Sequence, residues 1–271
     1  MHGVFLDTAT LRPAEIDLTN VTRTLSRWTL HERTAPAQTA ERIADAEVIV
    51  TNKVVISGEH IRANPQLRLI CVSATGVNNV DTAVAAECGV VVRNVENYAA
   101  ASVAQHTFAL LLGLATQWHR YQAAVQSGDW SRSDMFCLMD YPVTELAGKT
   151  LGIVGAGDLG LAVARLGEAF GMDVLLAQLP GRPVRGQSPY PRLPFDEFLG
   201  ASDVVSIHCP LDAGTRDLVG AAQLARMKRT AFLLNTARGG IVNEAALLDA
   251  LQRGVIAGAA LDVLTQEPPP P

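Results

Sequence analysis

Positive charge is in short supply in this 271-residue chain. Lys and Arg total 22 against 27 Asp and Glu, for a formal net charge of −5. The basic residues are scattered, so no field exists to hold a polyanion, and nucleic-acid binding is not expected. Long apolar runs are also lacking: the longest, residues 108–116, is too short to span a bilayer. Cysteine is scarce as well, and Cys71, Cys88, Cys137 and Cys209 form neither a CxxC pair nor a zinc-like spacing. That excludes a disulfide framework, points to free thiols in a reducing compartment, and leaves no metal site. The first residues, Met1 to Asp7, have no basic region followed by a long apolar one, so no secretory signal is expected and a soluble cytoplasmic protein is. What is plentiful is apolar residues, 48% against 18% charged, enough for one large or two ordinary cores and too many for disorder.

The apolar residues alternate between short β-branched runs and helical spacing. Strands are predicted at 4–6, 28–30, 47–51, 67–73 and 90–93, and helices at 41–46, 60–64 and 81–88, the last closed by Gly89. Alternating strands and helices imply a parallel sheet. One long helix is predicted over 102–126, with Val103, Phe108, Leu111, Leu112, Leu114 and Ala115 at helical spacing, followed by a loop over 128–142. A second unit opens at Lys149, with five strands at 150–154, 173–177, 204–208, 232–235 and 256–261. Helices at 159–170, 196–201, 221–228 and 243–253 complete a doubly wound sheet.

Gly155-Ala-Gly157-Asp158-Leu159-Gly160 follows the first strand of that unit and opens its first helix. A GxGxxG is informative only in such a setting. The first glycine permits the tight turn, the second lets backbone approach a pyrophosphate, and the third lets helix and strand pack closely, with the anion on the helix N-terminus. A dinucleotide, NAD(H) or NADP(H), is the expected ligand. The next strand ends at Gln178, where an acid would favour the 2′-hydroxyl of NAD, and Arg182 and Arg185 follow. Two readings stand: the arginines hold a 2′-phosphate, or they are solvated and NADH is used.

Five further segments, in order along the chain, resemble the D-2-hydroxyacid dehydrogenases, especially the glycerate dehydrogenase (hydroxypyruvate reductase) branch. They are Ala74-Thr-Gly-Val-Asn-Asn-Val-Asp81, Asn97-Tyr-Ala-Ala-Ala-Ser-Val-Ala-Gln-His-Thr107, Ser206-Ile-His-Cys-Pro-Leu211, Asn235-Thr-Ala-Arg-Gly-Gly-Ile-Val-Asn-Glu244 and Ala260-Leu-Asp-Val-Leu-Thr-Gln-Glu-Pro268. The resemblance implies an α/β chain of two Rossmann-like parallel-sheet domains: a flavodoxin-like substrate domain over 1–97 and an NAD(P)-binding Rossmann domain over 98–271. It implies hydride transfer between nicotinamide and a small 2-oxo or 2-hydroxy acid, hydroxypyruvate/glycerate or glyoxylate/glycolate, in a homodimer formed through the long-helix region. By position, Arg238 would grip the substrate carboxylate and carbonyl in a planar fork. Thr75, Gly76 and Val77 would complete the carboxylate site. His208, Cys209, Pro210, Thr215, Thr236, Ala237 and Asp262 would join Gly155 to Gly160, Gln178 and Arg182 around the cofactor, with Asp262 at the carboxamide. Glu267 resembles the carboxylate that partners the family's catalytic histidine; His106 and His119 are read as structural.

That histidine follows the glutamate in the family, and the sequence ends at Pro271 without it or the helix that returns to the first domain. Two explanations are open: a chain that continues, or a shortened one that binds dinucleotide and turns over slowly. Two other functions remain, a dinucleotide-sensing, corepressor-like binding protein and a phosphite or formate enzyme on the same scaffold.

Overall fold

The computed structural model describes residues 1–11, 15–96, 98–183 and 188–270. Asn97, Arg185 and Pro271, each used above, lie outside the described residues. The chain divides into two compact units, Met1–Tyr98 and Ala99–Pro271.

The first unit carries strands β1 (His2–Phe5), β2 (Arg27–Leu30), β3 (Val48–Thr51), β4 (Leu69–Val72) and β5 (Val91–Asn94). All pair in parallel, in the order β2-β1-β3-β4-β5. Its helices are α1 (Thr19–Thr22), α2 (Thr39–Ile43), α3 (Gly58–Arg62) and α4 (Thr82–Glu87). The predicted strands and helices are all present, with ends moved by up to three residues. The core is aliphatic, with Val4, Ile49, Ile56, Ile61 and Ile70 almost fully buried. Local chemistry explains the helix starts. Ser57 Oγ accepts the His60 N–H at α3, and Asp81 Oδ1 accepts the Val84 N–H at α4. Gly89, at φ +72°, closes α4 as expected.

The second unit begins with α5 (Ala100–Thr116), α6 (Trp118–Gln126) and α7 (Asp129–Arg132). The predicted single helix over 102–126 is therefore broken. Gln117 takes a left-handed conformation, φ 52°, and its Nε2 covers the Leu114 carbonyl while Thr144 N–H takes the Ala115 carbonyl. Such capping offsets the ~1–2 kcal/mol cost of a left-handed non-glycine residue, and no glycine or proline announces it in the sequence. The predicted loop over 128–142 likewise contains α7, started after Gly128 at φ +80° and braced by an Arg132–Asp129 ion pair.

The sheet of this unit has six strands, not five: β6 (Thr150–Val154), β7 (Asp173–Gln178), β8 (Arg192–Pro194), β9 (Val204–Ile207), β10 (Phe232–Asn235) and β11 (Gly258–Leu261). The missed β8 has only three residues and ends in proline, which removes the usual strand pattern and is tolerated because the strand lies at an edge. All pairs are parallel, in the order β11-β10-β9-β6-β7-β8, the Rossmann arrangement. Helices α8 (Asp158–Ala169), α9 (Phe195–Ala201), α10 (Ala221–Leu224) and α11 (Glu244–Gln252) complete it. One face buries Phe108, Leu111, Val163 and Ile153, joining α5 and α8 to the sheet. The other buries Phe198, Leu199, Leu224, Leu247 and Leu233, joining α9, α10 and α11.

Gly152 sits mid-strand because α9 packs on it: a Cβ there would lie 2.6 Å from the Phe198 ring and closer still to Ser202 Oγ. Gly152→Ala is expected to lower unfolding free energy by about 1–3 kcal/mol through overpacking, measured by urea denaturation.

Candidate cofactor and substrate site

In the second unit, strand order reverses between β6 and β9, and the crevice beyond their carboxyl ends is where this architecture binds ligands. Gly155 leaves β6 at φ +103°, and a Cβ on it would come within 2.7 Å of the His208 backbone at the end of β9. Gly160, in the first turn of α8, would drive a Cβ into the Gly155 carbonyl oxygen, so that turn accepts no side chain. Gly157 has open space around its Cβ position and serves as the N-cap of α8; Asp158 and Leu159 follow in the first turn. The two sterically required glycines hold a backbone cradle open at a helix N-terminus, which fits a pyrophosphate.

Beside the cradle lies a cavity of about 460 Å³ lined by Gly155, Ala156, Ala177, Gln178, Leu179, Arg182, Pro183 and Arg192. Its described lining has two arginines and no carboxylate. Arg182 Nη2 bonds Asp212 Oδ1 at 2.6 Å and pairs with Oδ2. The Arg182 bond, then the Gly214 N–H, hold the Asp212 carboxyl below its ordinary range. Arg192 Nη1 donates to the Ala177 carbonyl at 2.8 Å. Sequence reasoning passed over Arg192 because β8 itself was not foreseen.

His208 is buried, its Nε2 2.8 Å from Ser206 Oγ and its Nδ1 without a partner. Burial pushes its pKa down to about 4, so the ring is neutral at physiological pH. Cys209 is also buried, which pushes its thiol up to about 11, and it is no nucleophile. Pro210 is exposed, and Thr215 is fully buried, its hydroxyl donating to the Pro210 carbonyl and accepting the Asp212 N–H. Thr215 thereby closes the loop that carries Asp212.

Arg238 follows β10 on a turn clamped by Asn235, which is 1% exposed. Asn235 Oδ1 accepts the Ala237 N–H at 3.0 Å, and Nδ2 donates to the Arg238 carbonyl at 2.8 Å. The half-buried Arg238 donates through Nη1 to the Ala237 carbonyl, and among the described residues its remaining N–H groups meet no acceptor. Gly239 packs so closely on the Leu264–Thr265 backbone that no Cβ fits. On that segment Glu244 Oε1 takes both the N–H and the hydroxyl of Thr265, while Glu267 Oε1 takes the Leu264 N–H at 2.9 Å. Asp262, anchored through its N–H to the Asn235 carbonyl, bonds His106 Nε2 at 3.0 Å. Thr236 Oγ1 lies 3.0 Å from Thr107 Oγ1. Asn235, Glu244 and Thr107 were thus present in the quoted motifs without a role, and His106 with a structural one only.

Thr75, Gly76 and Val77 belong to the first unit, on the loop between β4 and α4. Thr75 is held there by its hydroxyl on the Val95 carbonyl and by Asn94 Nδ2 on its own carbonyl. Among the described residues no group of three or more His, Cys, Asp or Glu could hold a metal ion, and no helix is long and apolar enough to cross a membrane.

The His208 shift has a sign that can be checked. A folded-state pKa below the ordinary 6.5 leaves stability intact above 6.5 and removes it as pH falls toward 4, by up to about 3 kcal/mol. The acid-induced drop in denaturation midpoint over that window is expected to shrink in His208→Gln.

Residues 108–271 match the family described as D-isomer specific 2-hydroxyacid dehydrogenase, NAD binding domain. A glycerate dehydrogenase of Methylorubrum extorquens is 42% identical over 247 residues, covering 90% of this chain and 74% of that protein. A hydroxypyruvate reductase of Blautia hydrogenotrophica is 36% identical over 271 residues, covering 99% of this chain and 84% of that protein. Among solved structures, an NADPH-dependent glyoxylate/hydroxypyruvate reductase of Sinorhizobium meliloti, in complex with NADP and malonate, superposes with a TM-score of 0.83 at 29% identity, over all of this chain and 81% of that one. With a Rossmann sheet, a side-chain-free cradle at its switch point and these relatives, the chain belongs to the D-isomer specific 2-hydroxyacid dehydrogenases, a family of NAD(P)-dependent oxidoreductases.

Proposed function

We propose that this chain interconverts hydroxypyruvate and glycerate, or glyoxylate and glycolate, with Met1–Tyr98 as the substrate unit and Ala99–Pro271 as the cofactor unit. The observation that carries the reading is the Arg238 turn: a half-buried guanidinium, fixed at its backbone by Asn235 and at the carboxyl edge of the sheet, with donors to spare. A 2-oxo acid offers the matching planar anion, and the same charge stabilises the oxygen that becomes negative as the carbonyl is reduced. The nicotinamide, when bound, supplies or accepts the hydride. Gly155, Gly157, Asp158, Leu159 and Gly160 would hold its pyrophosphate, Gln178 and Arg182 the adenosine ribose, and His208, Cys209, Pro210, Thr236, Ala237 and Asp262 the nicotinamide half. Thr215 would support that wall by closing the loop at Pro210. The backbone N–H groups of Gly76 and Val77, which meet no acceptor among the described residues, would receive the substrate carboxylate, next to Thr75. Glu267 would act on the proton donor. His208 is excluded from that donor role by its neutral, buried ring.

NADPH fits the cavity beside Gly155, because Arg182 and Arg192 line it and its described lining holds no carboxylate; a 2′-phosphate would compete with Asp212 for Arg182. The four cysteines are free, which supports a reducing, cytoplasmic setting. Phe136 is 87% exposed and Met139 78%, on the stretch after α7, and this apolar surface supports a homodimer through the long-helix region.

Three experiments test these assignments. NADPH and NADH oxidation is to be followed with hydroxypyruvate, glyoxylate and pyruvate. Turnover of the first two is expected, with Arg238→Lys lowering kcat/KM at least about 100-fold, the scale of a lost transition-state donor. Tight dinucleotide binding with no turnover of any 2-oxo acid would refute the reading and favour a dinucleotide-sensing binding protein. Arg192→Ala should weaken NADPH about tenfold and NADH little, by fluorescence titration. Sedimentation should show a dimer that the Phe136→Asp/Met139→Asp double variant converts to monomer; a wild-type monomer would remove the dimer from the proposal.

A further inference from the structure

Helix α5 belongs to the cofactor unit, where its buried face packs on α8 and the sheet. Two adjacent side chains near its N-terminal end do something else. His106 Nε2 lies 3.0 Å from Asp262 Oδ1, just past β11, and Thr107 Oγ1 lies 3.0 Å from Thr236 Oγ1, just past β10. One turn of helix therefore touches two residues assigned above to the nicotinamide half of the cofactor, on two different strand ends.

The direction of these bonds follows from counting protons. Thr107 is fully buried and gives its single hydroxyl proton to the Val103 carbonyl at 2.8 Å. It has only lone pairs left for Thr236, so Thr236 is the donor in that contact. The Thr236 hydroxyl then faces any ligand as an acceptor alone, so a ribose hydroxyl meeting it would have to be the donor. Asp262 as a carboxylate only accepts, so His106 must present an N–H at Nε2. That bond occupies Oδ1 and leaves Oδ2 for an amide N–H. Both members of the pair are about half exposed, so the contact contributes little to stability and acts through orientation.

We infer that His106 and Thr107 are positioning residues for nicotinamide recognition: they fix the orientation of Asp262 and the hydrogen-bond polarity of Thr236. The inference rests on the proposed placement of Asp262 at the carboxamide and Thr236 at the adjoining ribose. It goes beyond that placement by assigning a cofactor-recognition role to residues of a helix whose buried face packs in the core.

Equilibrium binding to the full chain separates the possibilities, with NADH, ADP-ribose (no nicotinamide) and ADP (neither nicotinamide nor its ribose) as probes and thermal unfolding as a check on folding. His106→Leu is expected to weaken NADH about five- to tenfold, the worth of one hydrogen bond, and to leave ADP-ribose and ADP within about twofold. His106→Gln, whose amide can donate to Asp262, should restore most of the loss. Thr107→Val should weaken NADH and ADP-ribose but not ADP, and Thr107→Ser should restore both. If Asp262→Asn selectively weakens NADH while His106→Leu does not, the inference fails and the site placement stands. If Asp262→Asn spares NADH too, the placement itself is wrong. If His106→Leu weakens all three probes equally, its role is merely structural and the inference is overturned.

Discussion

Everything at the cofactor crevice depends on a backbone-to-backbone approach. The turn leaving β6 lies against the end of β9 so closely that Gly155 has no room for a side chain, and α8 starts so close to that turn that Gly160 has none either. This brings the free N–H groups of a helix N-terminus to the point where strand order reverses. His208 and Cys209 are drawn into the same contact, and their burial follows from it. So does their chemistry: a ring that stays neutral and a thiol that stays protonated at physiological pH.

Around that contact, the second unit places its candidate site residues on loops at strand ends and fixes each loop with one polar side chain, buried at Asn235 and Thr215 and half-buried at Glu244. Asn235 does this for the Arg238 turn, Thr215 for the loop from Pro210, and Glu244 for the segment at Thr265. Each is a short-range device in which a side chain satisfies backbone groups that no ladder reaches. The arginine is held by its backbone and not by an acid partner, which keeps its guanidinium available for an anion.

Much of this was legible in the sequence, and for a physical reason. Strands β6, β9 and β10 are apolar runs buried on both faces, α8 carries its own glycine start, and the segments at Asp262 and Arg238 stood out by their resemblance to a family's motifs, not by residue type. What escaped notice was set by tertiary partners. The break at Gln117 depends on carbonyls taken by a distant N–H and by its own amide, and nothing in its composition marks it. Strand β8 is too short to have a period. Arg192 became visible as a cavity residue only once β8 was placed, and His106 and Thr107 acquired partners only across more than 120 residues of chain. Helical spacing reports which face is buried; it does not report what a polar residue at the margin of that face will meet.

Strand β8 has a further effect, on how the molecule behaves in a crowd. Strand β7 is largely apolar, and an uncovered edge along it would offer a row of unpaired N–H and C=O groups to any passing strand. Three residues cover its carboxyl half, Leu176 to Gln178. Leu193 and its neighbours carry the ladder there, Pro194 supplies no N–H at the far end, and Arg192 turns a charge and a hydrogen bond back toward Ala177. The sheet therefore ends on that side in a strand too short and too poorly equipped with donors to template another, so the element that carries an arginine to the cavity also guards against edge-to-edge aggregation.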